Sequence, residues 1–335
     1  MLRYIVRRIG QLIGVVVVLS MLLFFWLRSL PGGPVNAMLG DRATPEQRDR
    51  LTELLGLDEP LYVQYVRYIG RVLQGDFGNS TSVLPGTDAF EVFLARFPAT
   101  IELSFFAVIL AILTAIPLGY IAARRRGSAI DNTSIVFSLV GIAVPVFFLA
   151  FLLKYYFSVK LGWLPVSGRQ DNLGCTRVTN FFILDGILTR EFDCSVSAIK
   201  HLILPSIALA SIPFAVIFRI TRASVLDVLD EDYVRTAEAK GLNANVIRGR
   251  HVLRNAMLPV LTIIGLQVGA LLAGAILTET VFNFPGIGEA LARSFSARDY
   301  AVLQILILMS AVVFVIVNLI VDILYAVFDP RVRTR

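Results

Sequence analysis

The sequence predicts an all-α polytopic membrane protein with six transmembrane helices, on three observations. Hydrophobic residues make up 56% of the 335 residues and charged residues only 17%, whereas soluble proteins carry about 25% charged residues. The mean hydropathy is +0.73. Six stretches are apolar for roughly the 20 residues that a helix needs to cross a bilayer. Together these features exclude an ordinary soluble domain.

The predicted spans cover residues 9–27, 100–123, 133–157, 201–217, 256–282 and 301–327. The first is interpreted as a retained helix, because its apolar run exceeds the roughly 7–15 residues of a secretory signal peptide and no small-residue cleavage site follows. The fourth contains Pro205 and Pro213. Neighbouring helices must therefore satisfy the backbone groups that these prolines leave free.

Basic residues set the predicted orientation, since short cytoplasmic loops are enriched in Lys and Arg. They are Arg3, Arg7 and Arg8 at the start, Arg124, Arg125 and Arg126 after span two, Arg219, Arg222, Arg235, Lys240, Arg248, Arg250 and Arg254 between spans four and five, and Arg331, Arg333 and Arg335 at the end. Both termini are therefore predicted to be cytoplasmic. The net charge of +6 then reflects topology, and no clustered basic, aromatic face predicts nucleic-acid binding.

The chain is expected to divide near residue 99. Residues 1–99 would hold the first span and a long external region, in which 45–55 and 60–73 are patterned as short amphipathic helices. Residues 100–330 would form a five-helix core with an external loop at 158–200 and a cytoplasmic loop at 219–255.

The only two cysteines, Cys175 and Cys194, both lie in the predicted external loop. Two cysteines in one loop on the oxidising side of a membrane predict a disulfide. It would close a loop of about 20 residues and stabilise the fold by roughly 3 kcal/mol in the chain-entropy model. Two unlinked thiols are the alternative.

The polar segment at 230–259 has the pattern of a short capped helix between two spans. The acidic residues Asp230, Glu231 and Asp232 precede the helical run, where the helix dipole favours negative charge. Gly241 stands where a left-handed cap would end it. Such a helix is typical of a docking element for a soluble partner, with a merely solvated loop as the alternative.

Motifs for catalysis or cofactor binding are missing from the sequence. It has no Gly-x-x-x-x-Gly-Lys-Ser/Thr phosphate loop, so ATP is not expected to bind this chain. The only histidines, His201 and His251, are predicted near opposite membrane faces, which argues against a histidine metal site or a Ser/His/Asp triad. We therefore predict no catalytic residue, no cofactor and no metal ion.

Ionisable residues inside spans are candidates for a substrate pathway, because they are costly in lipid. The four are Glu102, Lys154, Glu279 and Asp322. Each lies near a span end, so a continuous ion path is not indicated. Gln267, which neighbours Gly265 and Gly269, and Glu279 are the candidate pathway residues, although glycines at this spacing also permit simple helix packing.

Residues 233–241 and 258–259 resemble the cytoplasmic loop of permease subunits of binding-protein-dependent ABC importers. The first segment reads Tyr-Val-Arg-Thr-Ala-Glu-Ala-Lys-Gly and is followed by Leu-Pro. It keeps only the second alanine of the general Glu-Ala-Ala signature, and its spacing to Leu-Pro is longer; both departures are typical of the dipeptide/oligopeptide subgroup. Residues 1–34 and 254–331 resemble the two ends of that subgroup.

The resemblance implies the transmembrane domain of a type I ABC importer in a bacterial inner membrane. This chain would form half of the pathway for short peptides. Its partners would be a second homologous permease, two ATPase subunits that carry ATP and Mg²⁺, and an extracytoplasmic substrate-binding protein. Nickel, glutathione or another small solute is the alternative cargo; a stand-alone secondary carrier and a membrane-embedded enzyme are remoter alternatives.

The resemblance also implies a set of residues that couple the ATPase to transport. Tyr233 would be an aromatic anchor, the small Ala237 and Ala239 would allow close approach, and Arg235 and Lys240 would pair with acids of the ATPase. The full predicted set is Tyr233, Arg235, Thr236, Ala237, Glu238, Ala239, Lys240, Gly241, Leu258 and Pro259.

Overall fold

The computed structural model describes residues 2–29, 35, 39, 43–54, 56–171 and 174–328, with side chains for those residues that lie within 10–271 and 275–321. Several predicted features lie outside the described residues. They are the segment 30–34, the side chains of Arg3, Arg7, Arg8 and Asp322, and the C-terminal Arg331, Arg333 and Arg335.

The regular structure of the described residues is helical, apart from an isolated antiparallel bridge between Asn79 and Asp88. The helices in chain order are α1 (Leu2–Ser29), α2 (Pro45–Leu54), α3 (Leu61–Leu73), α4 (Ala89–Arg124), α5 (Ala129–Ala143), α6 (Val146–Leu153), α7 (Phe182–Leu188), α8 (Phe192–Leu229), α9 (Asp232–Ala239), α10 (Ala244–Val246), α11 (Arg254–Gly274), α12 (Ile276–Phe282), α13 (Ile287–Ala297) and α14 (Tyr300–Phe328). π-Helical turns at Lys154–Lys160 and Ile247–Leu253 extend α6 and precede α11.

Five helices of the described chain are long and apolar enough to cross a membrane, or six if the bent pair of α5 and α6 is one span. The all-α membrane fold is therefore confirmed. The helices at 45–54 and 61–73 lie where the amphipathic pattern predicts them.

Two predicted spans are interrupted. The span at 133–157 bends by 104° between α5 and α6, because Pro145 excludes the helical conformation at Val144, whose φ and ψ are −81° and 122°. The span at 256–282 is broken at Ala275, between α11 and α12. Both predicted spans thus contain a break that hydropathy alone does not predict.

The chain divides into two compact units, of which the first comprises Met1–Pro98 and Pro285–Ile316. Its apolar core joins the loop before α4 and the start of α4 to α13 and α14, through Val83, Ala89, Val92, Phe93, Ile287, Ala290, Val302, Ile305 and Leu306. The buried carboxylate of Asp299 fastens residues 80–82 to the start of α14. Its Oδ2 accepts hydrogen bonds from Ser80 Oγ (3.0 Å), Thr81 N (2.8 Å), and Ser82 N and Oγ (3.0 and 3.1 Å).

The second unit comprises Ala99–Phe284 and Val317–Arg335, and α8 is its central helix. In 38 residues α8 packs against α5, α6, α7 and α11. Pro205 and Pro213 are both buried inside it. The helix extends well beyond the predicted 201–217 at both ends. At Gly119 of α4 an added Cβ would lie 2.9 Å from both Phe218 O and Thr221 Cβ of α8. This glycine therefore permits the close contact of the two helices.

Four alanines and one leucine form the buried face of α4. Ala99, Leu103, Ala107, Ala111 and Ala115 recur every four residues and are fully buried. Residues four apart lie on one face of a helix, so these side chains form a narrow, smooth stripe. Such a stripe allows close helix packing in a membrane, where small residues favour association.

The loop that follows the Lys154–Lys160 turn is held by covalent and polar contacts. Cys175 and Cys194 form a disulfide with an S–S distance of 2.01 Å. Asp185 of α7 accepts hydrogen bonds at Oδ1 from Thr179 N (2.8 Å) and Oγ1 (2.6 Å). Burial alone raises the pKa of Asp185, but the hydrogen bonds from the Thr179 hydroxyl and from neighbouring backbone N–H groups hold it below its ordinary value. The carboxylate thereby orders the backbone that leads into α7.

Candidate coupling site

The polar segment after α8 folds as the eight-residue helix α9, Asp232–Ala239. Glu231 precedes it in an extended conformation and makes no side-chain capping hydrogen bond. The acidic residues therefore stabilise this helix end only through their interaction with the helix dipole. Gly241 has φ +72°, and its N–H donates to Glu238 O at 2.9 Å. The predicted left-handed end of the helix is confirmed.

The inner face of α9 packs against its own chain. Val234 and Ala237 are only 1% and 6% exposed, and their i, i+3 spacing places them on one side of the helix. They belong to a cluster that we name the coupling core. Its members are Ala123, Val225, Val234, Ala237, Ile247, Val252 and Ala256. The helix is therefore packed on the ends of α4 and α8 and on the beginning of α11.

Among the predicted coupling residues, Ala237 has a different position from the one expected. It was expected to allow close approach of an ATPase, but its methyl group lies in the coupling core. The Glu-Ala-Ala pattern does not indicate which side of the helix is buried, because burial depends on which side the adjoining spans cover. A larger side chain at Ala237 would therefore disturb the folding of the loop itself.

The outer face of α9 is formed by exposed side chains, namely Tyr233, Arg235, Thr236, Glu238, Ala239 and Lys240. Arg235 Nη1 lies 3.8 Å from Asp232 Oδ1, with side chains 68% and 99% exposed, and such solvated pairs contribute little stability. The carbonyl of Asp232 accepts a hydrogen bond from Thr236 Oγ1 at 2.8 Å. This polar, charged face is exposed to solvent in the described chain.

Tyr233 has a second role besides its exposed ring. Its hydroxyl accepts a hydrogen bond from Asn255 Nδ2 at 3.0 Å, and the same amide donates to His251 O at 2.9 Å. Tyr233 is 40% exposed, so the ring reaches solvent while its hydroxyl is tied to α11. Asn255 was missed by sequence reasoning, because nothing in the pattern links it to a residue 22 positions earlier.

Leu258 and Pro259 lie in the first turns of α11 and are both exposed. They are not members of the coupling core. The tie between α8 and α11 is made instead by Ser224, whose buried hydroxyl donates to Ala256 O at 2.8 Å. A lone serine in an apolar run gives no sequence signal for such a bond.

A bidentate ion pair fixes the loop after α4 on the same side of the chain as α9. Arg222 Nε and Nη2 of α8 donate to Asp131 Oδ1 (2.6 Å) and Oδ2 (2.8 Å). Asp131 is buried at the start of α5 and also accepts the N–H of Gly127 at 2.9 Å. Arginine and carboxylate forks of this kind combine strength with fixed geometry. Arg222, read from the sequence only as a topology signal, is therefore a structural link.

The candidate pathway residues differ in exposure. Glu279 is fully buried, and its Oε1 accepts a hydrogen bond from Thr100 Oγ1 at 2.7 Å. Gln267 is half-buried on α11. A Cβ added at Gly265 would collide with the side chain of Val321 on α14, so this glycine allows close packing of two helices. Lys154 Nζ donates to Val281 O at 2.7 Å.

Comparison with known proteins identifies the class to which this arrangement belongs. Residues 115–334 match the family model described as binding-protein-dependent transport system inner membrane component. The chain belongs to this family. Residues 1–104 of the permease match the model for the N-terminal part of such membrane components.

Full-length relatives agree with the family match. The permease is 47% identical over 335 residues to the di/tripeptide transport system permease protein DppB of Pseudomonas aeruginosa, with 99% of each chain covered. It is 44% identical to the dipeptide transport system permease protein DppB of Escherichia coli K12, again with 99% of each covered. It is 39% identical to the oligopeptide transport system permease protein AppB of Bacillus subtilis, covering 99% of this chain and 100% of that one.

A solved structure supports the fold. An inward-facing form of the MetNI methionine ABC transporter aligns with a TM-score of 0.53 at 11% identity, covering 71% of the permease and 96% of that chain. The predicted family, the ABC-permease fold and the multi-pass inner-membrane location are thus confirmed. The permease is a transport subunit that works in a complex with ATPase and other subunits.

Proposed function

We propose that this permease forms one half of the translocation pathway of an ATP-driven importer of short peptides. The observation that carries the proposal is full-length identity of 39–47% to three proteins whose names specify di-, tri- or oligopeptide transport. Similarity across the whole length includes the spans, and the spans are the part of a permease that meets the transported solute.

The proposed complex contains a second homologous permease, two ATPase subunits and an extracytoplasmic substrate-binding protein. ATP and Mg²⁺ bind the ATPase subunits, and this chain holds no cofactor. Basic residues in the short loops support a cytoplasmic position for α9, which is where an ATPase meets it. Gln267 and Glu279 are proposed to influence the pathway through α11 and α12.

The contacts of α9 support a role in transmitting motion. Val234 and Ala237 pack in the coupling core, and Tyr233 is hydrogen-bonded to Asn255 at the start of α11. A displacement of α9 by a closing ATPase therefore moves the ends of α8 and α11 with it. We assign ATPase contact to the outer face alone, with Lys240 and Arg235 as the cations that meet acidic side chains.

Two alanines, Ala237 and Ala239, make a sharp test because one is buried and the other is exposed. Ala239→Leu is expected to leave the chain folded and inserted but to reduce peptide uptake and peptide-stimulated ATP hydrolysis. Ala237→Leu overpacks the coupling core, which costs about 1–3 kcal/mol, so this variant should show a less stable loop in limited proteolysis. Wild-type uptake by Ala239→Leu would refute the assignment of the outer face.

The matched control is Ala297→Leu. Ala297 is also exposed and also the last residue of its helix, α13. It lies beyond the other end of the spans from α9 in the predicted topology, so uptake should be unchanged. Equal loss of uptake in both variants would indicate a general defect caused by an added leucine.

The substrate is tested by uptake in cells that lack the chromosomal copy of this permease. Labelled dipeptide should accumulate only when the permease is restored with its partner subunits. Accumulation of nickel or glutathione with no peptide uptake would overturn the peptide assignment and leave the permease role intact. Transport by the chain alone, without any ATPase subunit, would overturn the importer mechanism.

A further inference from the structure

A cavity of about 200 Å³ lies in the first unit, where α1 ends and α14 begins. Its lining includes Arg28 of α1, Tyr68 and Arg71 of α3, and Arg298 and Tyr300 at the start of α14. The volume is below the roughly 300–1,000 Å³ of pockets for drug-sized ligands. A cavity of this volume accommodates a small polar group.

The charge of the lining is positive. Three arginines contribute to it, against two acidic residues, Asp76 and Asp299. The Asp299 carboxylate is already occupied by four hydrogen bonds from residues 80–82. Among the described side chains, Arg71 and Arg298 make no ion pair. The lining therefore carries a net charge of +1 (three arginines less two aspartates), and a positively charged cavity attracts an anion.

Arg28 is held in position before any ligand arrives. Its Nε donates to Gln64 Oε1 at 2.7 Å, and its guanidinium carbon lies 3.7 Å from the centre of the Phe24 ring. Gln64 is fixed in turn by hydrogen bonds from its Nε2 to Leu57 O (3.0 Å) and Glu59 O (2.7 Å). The terminal nitrogens of Arg28 remain as donors with a preset direction.

Two tyrosines add hydroxyl donors. Burial, and after it Tyr65, raises the pKa of Tyr68 to about 12, so its hydroxyl keeps its proton at physiological pH. The Tyr300 hydroxyl is buried and has no hydrogen-bond partner among the described residues. Buried polar groups in proteins are almost always paired. The unsatisfied Tyr300 Oη therefore points to a ligand that supplies an acceptor.

The cavity is formed by the ends of candidate spans, which is where a membrane-crossing helix meets the lipid headgroups. It is formed at one end of each of two candidate spans, Gly10–Ser29 and Tyr300–Val321. Trp26, close to that end of α1, stacks on Phe295 with ring centres 6.4 Å apart and is 45% exposed. Exposed tryptophans of this kind mark the membrane–water interface.

We propose that this cavity binds the anionic phosphate group of a phospholipid headgroup. Arg28, Arg71 and Arg298 would donate to the phosphate oxygens, since the guanidinium fork matches phosphate geometry. Tyr300 would donate the hydrogen bond that it lacks. Inorganic phosphate shares this chemistry, and the experiment must distinguish the two sources.

The test uses the full-length chain, purified in mild detergent with the subunits that accompany it. Phosphatidylglycerol, phosphatidylcholine or inorganic phosphate is added, and bound molecules are counted by native mass spectrometry. We expect phosphatidylglycerol to be retained in preference to phosphatidylcholine. Retention should fall about fivefold for each arginine removed in Arg71→Gln and Arg298→Gln. It should fall roughly tenfold in Tyr300→Phe, which changes no charge.

The matched control is Arg67→Gln. Arg67 lies on the same helix as Arg71, is paired with Glu59 at 2.9 Å, and does not line the cavity. Its removal should leave retention unchanged. Unliganded unfolding temperatures equal to wild type will show that the variants are folded.

Two results would overturn the proposal. One is equal retention of phosphatidylglycerol by the control and by the cavity variants. The other is retention that depends on the arginines but is unaffected in Tyr300→Phe, which would mean general surface attraction. Retention of inorganic phosphate but of neither lipid, lost in the same variants, would also overturn the lipid assignment, because the phosphate would then be supplied from solution.

Discussion

Replacement of Arg169 by methionine should destabilise the second unit strongly. Arg169 Nη2 lies 2.5 Å from Glu102 Oε2, and its Nε donates to the same oxygen at 3.2 Å. The two side chains are only 4% and 7% exposed. The other oxygen of Glu102 accepts the N–H of Ile183 at 3.1 Å. One carboxylate therefore joins α4 both to Arg169 and to the start of α7.

The size of the effect follows from this burial. Removing one partner of a buried ion pair leaves the other charge uncompensated, which costs about 3–5 kcal/mol. Burial lowers the pKa of Arg169, and Glu102 acts against that shift; the carboxylate is thus what keeps a buried guanidinium favourable. In the double variant Arg169→Met/Glu102→Gln no charge is left unpaired, so its loss should be smaller than that of Arg169→Met alone.

Intrinsic tryptophan fluorescence during heating provides the assay, because Trp163 packs on Phe157 at 5.9 Å between ring centres, within the same unit. The matched control is Arg177→Met. Arg177 lies over the Phe182 ring at 3.4 Å, as Arg169 does at 3.8 Å, but it is exposed. If Arg169→Met unfolds at the same temperature as Arg177→Met, the buried pair does not stabilise the unit and the reasoning fails.

Three further predictions concern smaller features. Gly241→Ala forces a φ of +72° on an L-residue, which costs about 1–2 kcal/mol; uptake should fall, and Gly241→Asn should restore it, whereas equal uptake in all three would refute the cap. Mass spectrometry of unreduced protein should find no free thiol. The double variant Cys175→Ser/Cys194→Ser should have a free energy of unfolding about 3 kcal/mol lower than wild type, and an unchanged free energy would contradict this. The pKa of Asp185 is lowered. Its hydrogen bonds therefore stabilise the fold at pH values above the ordinary pKa of an aspartate, and this stabilisation is lost as the pH falls through the lowered pKa. The stability gap between wild type and Asp185→Asn should therefore shrink below about pH 4, and a gap independent of pH would argue against a charged Asp185.

Sequence reasoning located the spans because hydropathy is a property of composition and needs no partner. It failed where the outcome depends on packing. Pro205 and Pro213 stay inside the continuous helix α8, whereas Pro145 accompanies a bend of 104°. The local chemistry of the three prolines is the same. Only the surrounding helices decide whether the chain continues, and they are not visible in the span itself.

In the candidate site, too, local features were predictable and features that depend on packing were not. The helix at α9 and its end at Gly241 were predictable, since caps are local. The burial of Ala237 and the bond from Asn255 to Tyr233 were not, because both depend on α8 and α11 coming together. Likewise, 67 residues separate Arg169 from Glu102, and neither residue carries a local signal of its partner.

The length of α8 has a mechanical consequence. At 1.5 Å per residue its 38 residues measure about 57 Å, against a hydrocarbon core of about 30 Å. Cys194 of the disulfide lies in its first turn, and α9 begins just beyond its last. One continuous helix thus joins the cross-linked loop at one end to α9 at the other. In the proposed importer, a displacement of α9 would reach the disulfide through this single helix, without a relay of contacts between helices.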